Sequence, residues 1–342
     1  MARKRRCRYS GIGGQAVLEG IMMKNGDDYS VAVRKPDGSI EVKKDRYPGI
    51  CHGKKVKSIP FIRGIFNFID SLILGNRALN YSASFYEEEE DKTQEEEVKE
   101  KKARKKTQSK ETSERKEKAL TTLVTIIAVV LALGIFVVLP YYIASLFRGF
   151  IRNASLMAIV EGLIRILIFI LYIWLISAMK DIKRLYRYHG AEHKCINCIE
   201  RGRTLTVENV MRSSRLHKRC GTSFIFFVFF VSIILFFFIR VESPLARILI
   251  RILLMPVVAG ISYEIIRLAG RSDNLFVRIL SAPGMLIQRM TTKEPDAEMV
   301  QVAIAAVESV FDWKAYLREN FGYEAEEETE RDSDVEEIYE EL

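Results

Sequence analysis

Histidine and cysteine are scarce in this chain, four and five among 342 residues, and tryptophan occurs only twice. The cysteines, Cys7, Cys51, Cys195, Cys198 and Cys220, are odd in number and lie in segments whose flanking charge marks them as cytosolic, which excludes a disulfide-stapled scaffold. No apolar core follows the basic start Met1 to Arg6, so a cleaved secretory signal is not expected. Residues 87–118 and 323–342 almost lack apolar side chains and cannot bury enough surface to offset the entropy of ordering. No strand pattern precedes Gly11-Ile12-Gly13-Gly14-Gln15-Ala16, which fits G-x-G-x-x-A only on paper. Without the strand-turn-helix context a nucleotide loop is excluded, and a tight backbone turn is expected, with Gln15 and Glu19 as polar contributors to a site.

What is abundant is apolar sequence in four blocks. Hydrophobic residues make up 49% and charged residues 28% of the chain, but they are segregated. A bilayer core about 30 Å thick requires about 20 mostly apolar residues per helix, since lipid offers the backbone no hydrogen bonds. Segments 119–142 (most apolar from Ala119 to Leu139), 156–179, 222–239 and 245–266 meet that requirement. The second contains Glu161 and Arg165, spaced to pair across one turn at the membrane edge. The fourth begins with Arg247 and Arg251, expected to snorkel to the interface, and carries Pro256 and Gly260 in mid-span, which reads as a kink. The loops Tyr142 to Ala154 and Arg240 to Pro244 are short and carry few basic residues. The opposite side holds Lys101 to Lys106, Lys116 to Lys118, Lys180, Lys183, Arg184 and Arg187. The charge bias predicts a multi-pass protein of the cell membrane with both termini in the cytoplasm.

The expected fold is therefore mainly α, four transmembrane helices with a small α+β cytoplasmic N-terminal region over residues 1–86 and a helical cytoplasmic region over 267–322. In the first, Tyr29 to Lys35 and Ser39 to Lys44 read as a β-hairpin about Pro36-Asp37-Gly38. Ile59 to Leu79 reads as an amphipathic helix lying on the membrane or packed on that hairpin. Residues 87–118 form a flexible or solvated helical linker, whose basic end beside the membrane could attract anionic lipid. The second span is expected to continue as helix into a His/Cys segment over 180–221. After the fourth span two helices, Asp273 to Arg289 and Asp296 to Trp313, are expected, with breaks at Pro283-Gly284 and near Thr291-Thr292. An acidic tail occupies 323–342.

Three of the four histidines, His189, His193 and His217, fall between the second and third spans. His189-Gly190-Ala191-Glu192-His193 is an H-x-x-E-H sequence. On a helix it aligns both imidazoles one turn apart, a spacing that holds Zn²⁺. Ile182, Leu185, Tyr186, His189, His193 and Ile196 share one helical stripe. Glu192 at its edge is placed to act as general base, while Cys195 and Cys198 project the other way. The ends of three spans bring Cys220, His217 and Glu264 to the same membrane face. The candidate site is Glu192 as catalytic base with His189, His193, Glu264, Cys220 and His217 as metal ligands, for Zn first and Mn or Fe as alternatives. Each has a plainer reading as well: buried, hydrogen-bonded histidines and small apolar cysteines.

Several strings together resemble the YqhQ-like family of bacterial membrane proteins, a domain family of unknown function described as predicted metal-dependent enzymes. They are Gly13-Gly14-Gln15-Ala16-Val17-Leu18-Glu19-Gly20-Ile21-Met22-Met23, Arg63-Gly64, Tyr188-His189-Gly190-Ala191-Glu192-His193-Lys194, Arg219-Cys220-Gly221-Thr222-Ser223-Phe224 and Thr291-Thr292 to Pro295. Lys218 stands where a proline commonly precedes the Arg-Cys-Gly-Thr string, and Ile199 where an aromatic is usual. The resemblance implies a multi-pass membrane protein with a metal site at His189, Glu192 and His193, and supplies no substrate. Three functions are carried forward: a metal-dependent hydrolase, a non-enzymatic membrane scaffold or assembly factor with unknown protein partners, and a transporter. Nucleic-acid binding is not expected, because membrane-flanking Lys and Arg account for the +8 net charge.

Overall fold

The computed structural model describes residues 8–53, 58–98, 123, 124, 126–239, 241, 243–271 and 274–323. Much of the linker, its basic end and the acidic tail lie outside the described residues.

The expected hairpin is half of a four-stranded antiparallel sheet, β1 Gly13–Val17, β2 Gly20–Asn25, β3 Asp28–Arg34 and β4 Ile40–Arg46, in sequential order. The β3–β4 turn forms at Asp37, whose carboxylate accepts from the Ser39 amide, followed by Gly38 at φ +86°. The glycine-rich run expected as a tight turn is instead the edge strand β1, pairing Gly13 with Lys24 through Val17 with Gly20. Between β1 and β2, Glu19 adopts φ +48°, unusual for a residue with a Cβ. Arg184 and the Tyr188 hydroxyl hold its carboxylate in place.

Strand alternation buries both faces of the sheet. Met22, Tyr29, Val31 and Val33 pack on Leu74 and Ala78 of helix α1, Ile62–Val98. Ile21, Met23 and Ala32 face the opposite way. There they meet helix α4, Lys180–Glu200, and helix α9, Ala297–Val310, where Ser30 Oγ donates to the Ala306 carbonyl at 2.7 Å. Helix α1 thus packs on the sheet, as one of the two expected placements had it, yet leaves Phe68 and Leu72 exposed.

Among the described residues four helices are long and apolar enough to cross a membrane: α2 Ile126–Gly149, α3 Ala154–Ile176, α6 Gly221–Phe238, and α7 Pro244–Arg271 over its Leu245–Gly270 part. Residues 119–122, where the first span was expected to begin, lie outside the described residues. A π-helical stretch, Gly134–Val138, sits just ahead of Pro140, whose ring displaces the carbonyl one turn back. The second span does not continue into the His/Cys segment as expected. The helix stops at Ile176 and α4 restarts after Met179, where the chain turns charged at Lys180-Asp181. Arg251 does not snorkel either. It is 6% exposed and turns inward to Glu161, its Nη2 2.7 Å from Oε2, joining the Glu161–Arg165 pair at 3.2 Å.

Beyond the spans lie α8 Leu275–Thr291, α9 and α10 Trp313–Phe321. Helix α8 runs through Pro283, where a break was expected, and packs on α6, with a Cβ at Gly284 only 2.8 Å from Ser223 Oγ. The N-terminal region meets the fourth span where α1 crosses α7. A Cβ on Gly260 would lie 2.6 Å from the Phe61 carbonyl, and one on Gly64 would lie 2.7 Å from Tyr263 Cβ. Gly260→Leu is expected to force these helices apart and lower stability by about 1–3 kcal/mol, the scale of overpacking. Gly149→Ala, with nothing within 4 Å of the new Cβ, is expected to leave it unchanged. Thermal unfolding in detergent measures both.

Candidate metal centre

Helix α4 is buried along its whole second half, from Gly190 to Glu200. Gly190 is required there by its neighbour: a Cβ would come 2.0 Å from the Lys293 carbonyl, because residues 291–295 cross the helix at that point. His189 and His193 lie one turn apart, with ring centroids at 4.4 Å. The crossing segment presents the Thr291 carbonyl 2.9 Å from His189 Nδ1. A second segment, 211–217, presents the Arg215 carbonyl 2.7 Å from His193 Nδ1. Two other α4 side chains hold that second segment down. Buried Lys194 donates to the Met211 and Ser213 carbonyls at 2.8 and 2.9 Å, and Asn197 to those of Ser214 and Leu216 at 2.7 and 3.0 Å.

A carbonyl only accepts, so each Nδ1 must carry the proton and each Nε2 is left to the other side of the ring. Cys220 is on that side, its Sγ 3.2 Å from His189 Nε2, at the N-cap of α6 where the helix dipole favours a thiolate. Burial opposes the Cys220 thiolate, but the His189 and His193 rings outweigh it and pull the thiol well below its ordinary range. Burial likewise opposes charge on His189, which Cys220, Glu192 and the Thr291 carbonyl nevertheless raise to about 9. Burial raises Glu192, with the two imidazoles and the Gly14 amide working against it.

His189, His193 and Cys220 each turn one ligand atom inward, all within 4.8 Å of one another. Two Nε2 atoms and a sulfur converge on one point and share a proton there, which a bound ion would replace. The donor set matches what a borderline-soft divalent ion takes, and the carbonyls behind each imidazole are the outer partners that metal-bound histidines normally have. The residues present therefore fit a metal.

The other expected ligands lie elsewhere. Glu264 is held by Arg63, at 2.6 and 2.5 Å, with Arg267 at 3.9 Å, and is not brought into the group. His217 is buried beside His193, centroids 5.6 Å apart, but its Nε2 faces Glu200 at 3.3 Å. Glu192 is buried next to the group and held from β1. A Cβ at Gly14 would approach its Cγ to 3.0 Å and the Met22 carbonyl to 2.6 Å. Cys195 and Cys198 point away into the core shared with α9, as the helical stripe predicted. Glu19 is engaged by Arg184, while Gln15 packs on Gly75 of α1.

Three supporting residues escaped the sequence reading. Gln288 is fully buried in α8 and clasps His217, accepting from its amide at 3.0 Å and donating to its carbonyl at 2.7 Å. Glu200 gathers Ser10, His217 and Arg219. Burial alone would raise Glu200, but hydrogen bonding and attraction from His217 and the charge of Arg219 bring it down to about 2. Arg201 and Arg203 follow Glu200 and Lys218 precedes Arg219, so nothing in the linear sequence set these charges apart from their neighbours.

The model of the family described as Protein of unknown function (DUF1385) matches residues 59–313. The Bacillus subtilis (strain 168) protein named Uncharacterized protein YqhQ is 34% identical over 311 residues, 90% of this chain and 94% of its own length. No solved structure matches.

A carboxylate whose folded pKa is depressed stabilises the fold above its unfolded value and loses that contribution as pH falls through the folded one. Glu200→Gln is accordingly expected to cost about 1–3 kcal/mol near neutral pH, by leaving buried His217 and half-buried Arg219 without their carboxylate. The difference from the parent should shrink as pH falls from 4.5 towards about 2. Chemical unfolding across that range checks the sign.

Proposed function

The chain belongs to the DUF1385 family, and from that premise we propose that it is a multi-pass membrane protein whose His189, His193 and Cys220 hold a divalent metal for hydrolysis. Both termini lie in the cytoplasm on this reading, supported by the concentration of Lys and Arg on the side of the sheet and α4. The metal centre then sits at the cytoplasmic membrane face, where Cys220 opens a span and α4 follows one. Zinc is the first choice, because one thiolate with two imidazoles suits it better than Mn, with Fe as the alternative. The observation that carries the proposal is the pair of Nδ1-to-carbonyl hydrogen bonds, which turn both Nε2 atoms towards Cys220.

When bound, the ion supplies Lewis acidity at the point where the three ligand atoms meet. Glu192 is the proton acceptor: it lies buried beside the two imidazoles, and burial raises its pKa and with it its basicity. The Gly14 amide orients it from β1, so the sheet serves the site directly. His217, Glu200 and Gln288 position the segment that carries the Arg215 carbonyl. A second reading, a thiol nucleophile with His189 as its base, draws on the 3.2 Å Cys220–His189 contact. Metal content separates the two.

The purified protein is expected to carry near-stoichiometric zinc, or iron, by elemental analysis, and His189→Ala/His193→Ala to carry none while remaining folded. Nil metal in the parent, or the same metal in the double variant, would reject the metal centre. Glu192→Gln is expected to keep the metal yet fail to restore the phenotype of a deletion strain. Full complementation by that variant would remove Glu192 from the chemistry and favour a scaffold.

A further inference from the structure

Beside Cys220 lies a cavity of about 650 Å³, bounded by α1, the first turns of α6 and the last turns of α7. Its walls differ in character. Phe68, Leu72 and Ile225 form an apolar side and are 39%, 58% and 37% exposed. The other side holds Arg219 and Arg267 together with Gln15 and Asn67, and no carboxylate is among the described residues lining it. Glu200 balances Arg219, whereas Glu264 is shared between Arg63 and Arg267, which leaves one guanidinium charge in excess. The height of the cavity is also set. Gly221 begins one membrane span and Ile266 and Arg267 lie in the last turns of another, so the cavity sits at the end of the spans, where lipid headgroups meet the acyl region.

We propose that this cavity binds an anionic glycerophospholipid of the cytoplasmic leaflet, its phosphate against Arg267 and Arg219 and an acyl chain along Phe68, Leu72 and Ile225. As the substrate class of the metal centre this rests on the hydrolytic reading above; as a binding site it does not. Cys220 forms part of the cavity wall, while His189 and His193 lie behind it, so a headgroup seated there is separated from the two imidazoles by the Cys220 side chain. A lining that joins guanidinium groups to apolar side chains matches a molecule with one charged and one apolar end. A wholly soluble organophosphate would leave the Phe68 and Leu72 side unused.

The test uses the full-length protein in proteoliposomes containing phosphatidylglycerol or phosphatidylcholine with a diazirine in one acyl chain, and maps the cross-links by peptide mass spectrometry. Labelling by the anionic lipid is expected to concentrate on residues 61–72 and 221–225. Arg267→Gln should lower it about tenfold, the scale of one lost charged hydrogen bond, and leave phosphatidylcholine labelling unchanged. Leu72→Glu, which puts a carboxylate on the apolar wall, and Ile225→Trp, which fills the cavity, should each abolish the localised label. Label spread evenly over the spans, or equal for the two lipids, or unaffected by these variants, overturns the proposal. Competition by glycerol 3-phosphate as effective as that by unlabelled lipid overturns it too, in favour of a free organophosphate. The metal content of the parent protein, measured on the same preparation, separates the two claims. Localised label retained in a parent protein without metal rejects the metal centre and upholds the lipid site. Metal retained without localised label rejects the lipid site alone.

Discussion

Two imidazoles on a buried helix, each with Nδ1 tied to a main-chain carbonyl, are the constraint on which this structure turns. Thr291 and Arg215 supply those carbonyls from segments far apart in sequence, one after the last span and one between the second and third. Because a carbonyl cannot donate, Nδ1 of each ring carries a proton, and each Nε2 is turned to the opposite side. Cys220 meets them from the positive end of α6. None of the three groups has an apolar alternative, so a half-formed site would strand buried polar atoms at a cost of about 1–3 kcal/mol each.

Much of the surrounding architecture reads as the means of bringing those carbonyls into place. Lys194 and Asn197 fasten the 211–217 segment to α4, and Gln288 clasps the same segment from α8. Gly190 removes the side chain that would keep residues 291–295 away. The sheet closes the site from a third direction, because the close approach at Gly14 lets β1 reach Glu192. Charges that this geometry buries are paired: Lys194 with Glu294 at 2.8 Å, and Glu200 with Arg219 and His217. The N-terminal sheet is thus joined to the membrane-spanning part through the site as well as through the Gly64–Gly260 crossing.

Within the apolar helices the same rule of pairing holds at a second place, among residues outside the His189–His193–Cys220 group. Glu161, Arg165 and Arg251 are each less than a tenth exposed and interact across α3 and α7. A carboxylate in hydrocarbon draws both guanidinium groups inward, because no water competes for them. This explains why Arg251 turns away from the interface that its position in the chain would allow it to reach.

The sequence by itself determined what depends on runs and on short-range spacing. Four apolar blocks, the Pro36-Asp37-Gly38 hairpin and the one-turn alignment of His189 with His193 are local facts, written within a few residues, and the structure has all of them. Cys220 was among the candidates because span ends must meet at a membrane face. Glu264 was a candidate for the same reason, and only the tertiary structure chose between them. Arg63 was there to bind Glu264, while α6 delivered Cys220 to the imidazoles. Tertiary structure alone also decided that the glycine-rich run is a strand, that the second span ends before α4, and that α8 runs through Pro283. These depend on β2, on the membrane boundary and on α6, partners that a linear pattern does not contain. The roles of Gln288, Glu200 and the Thr291 and Arg215 carbonyls were out of reach for the same physical reason. A hydrogen bond between residues a hundred apart leaves no periodicity in either of them.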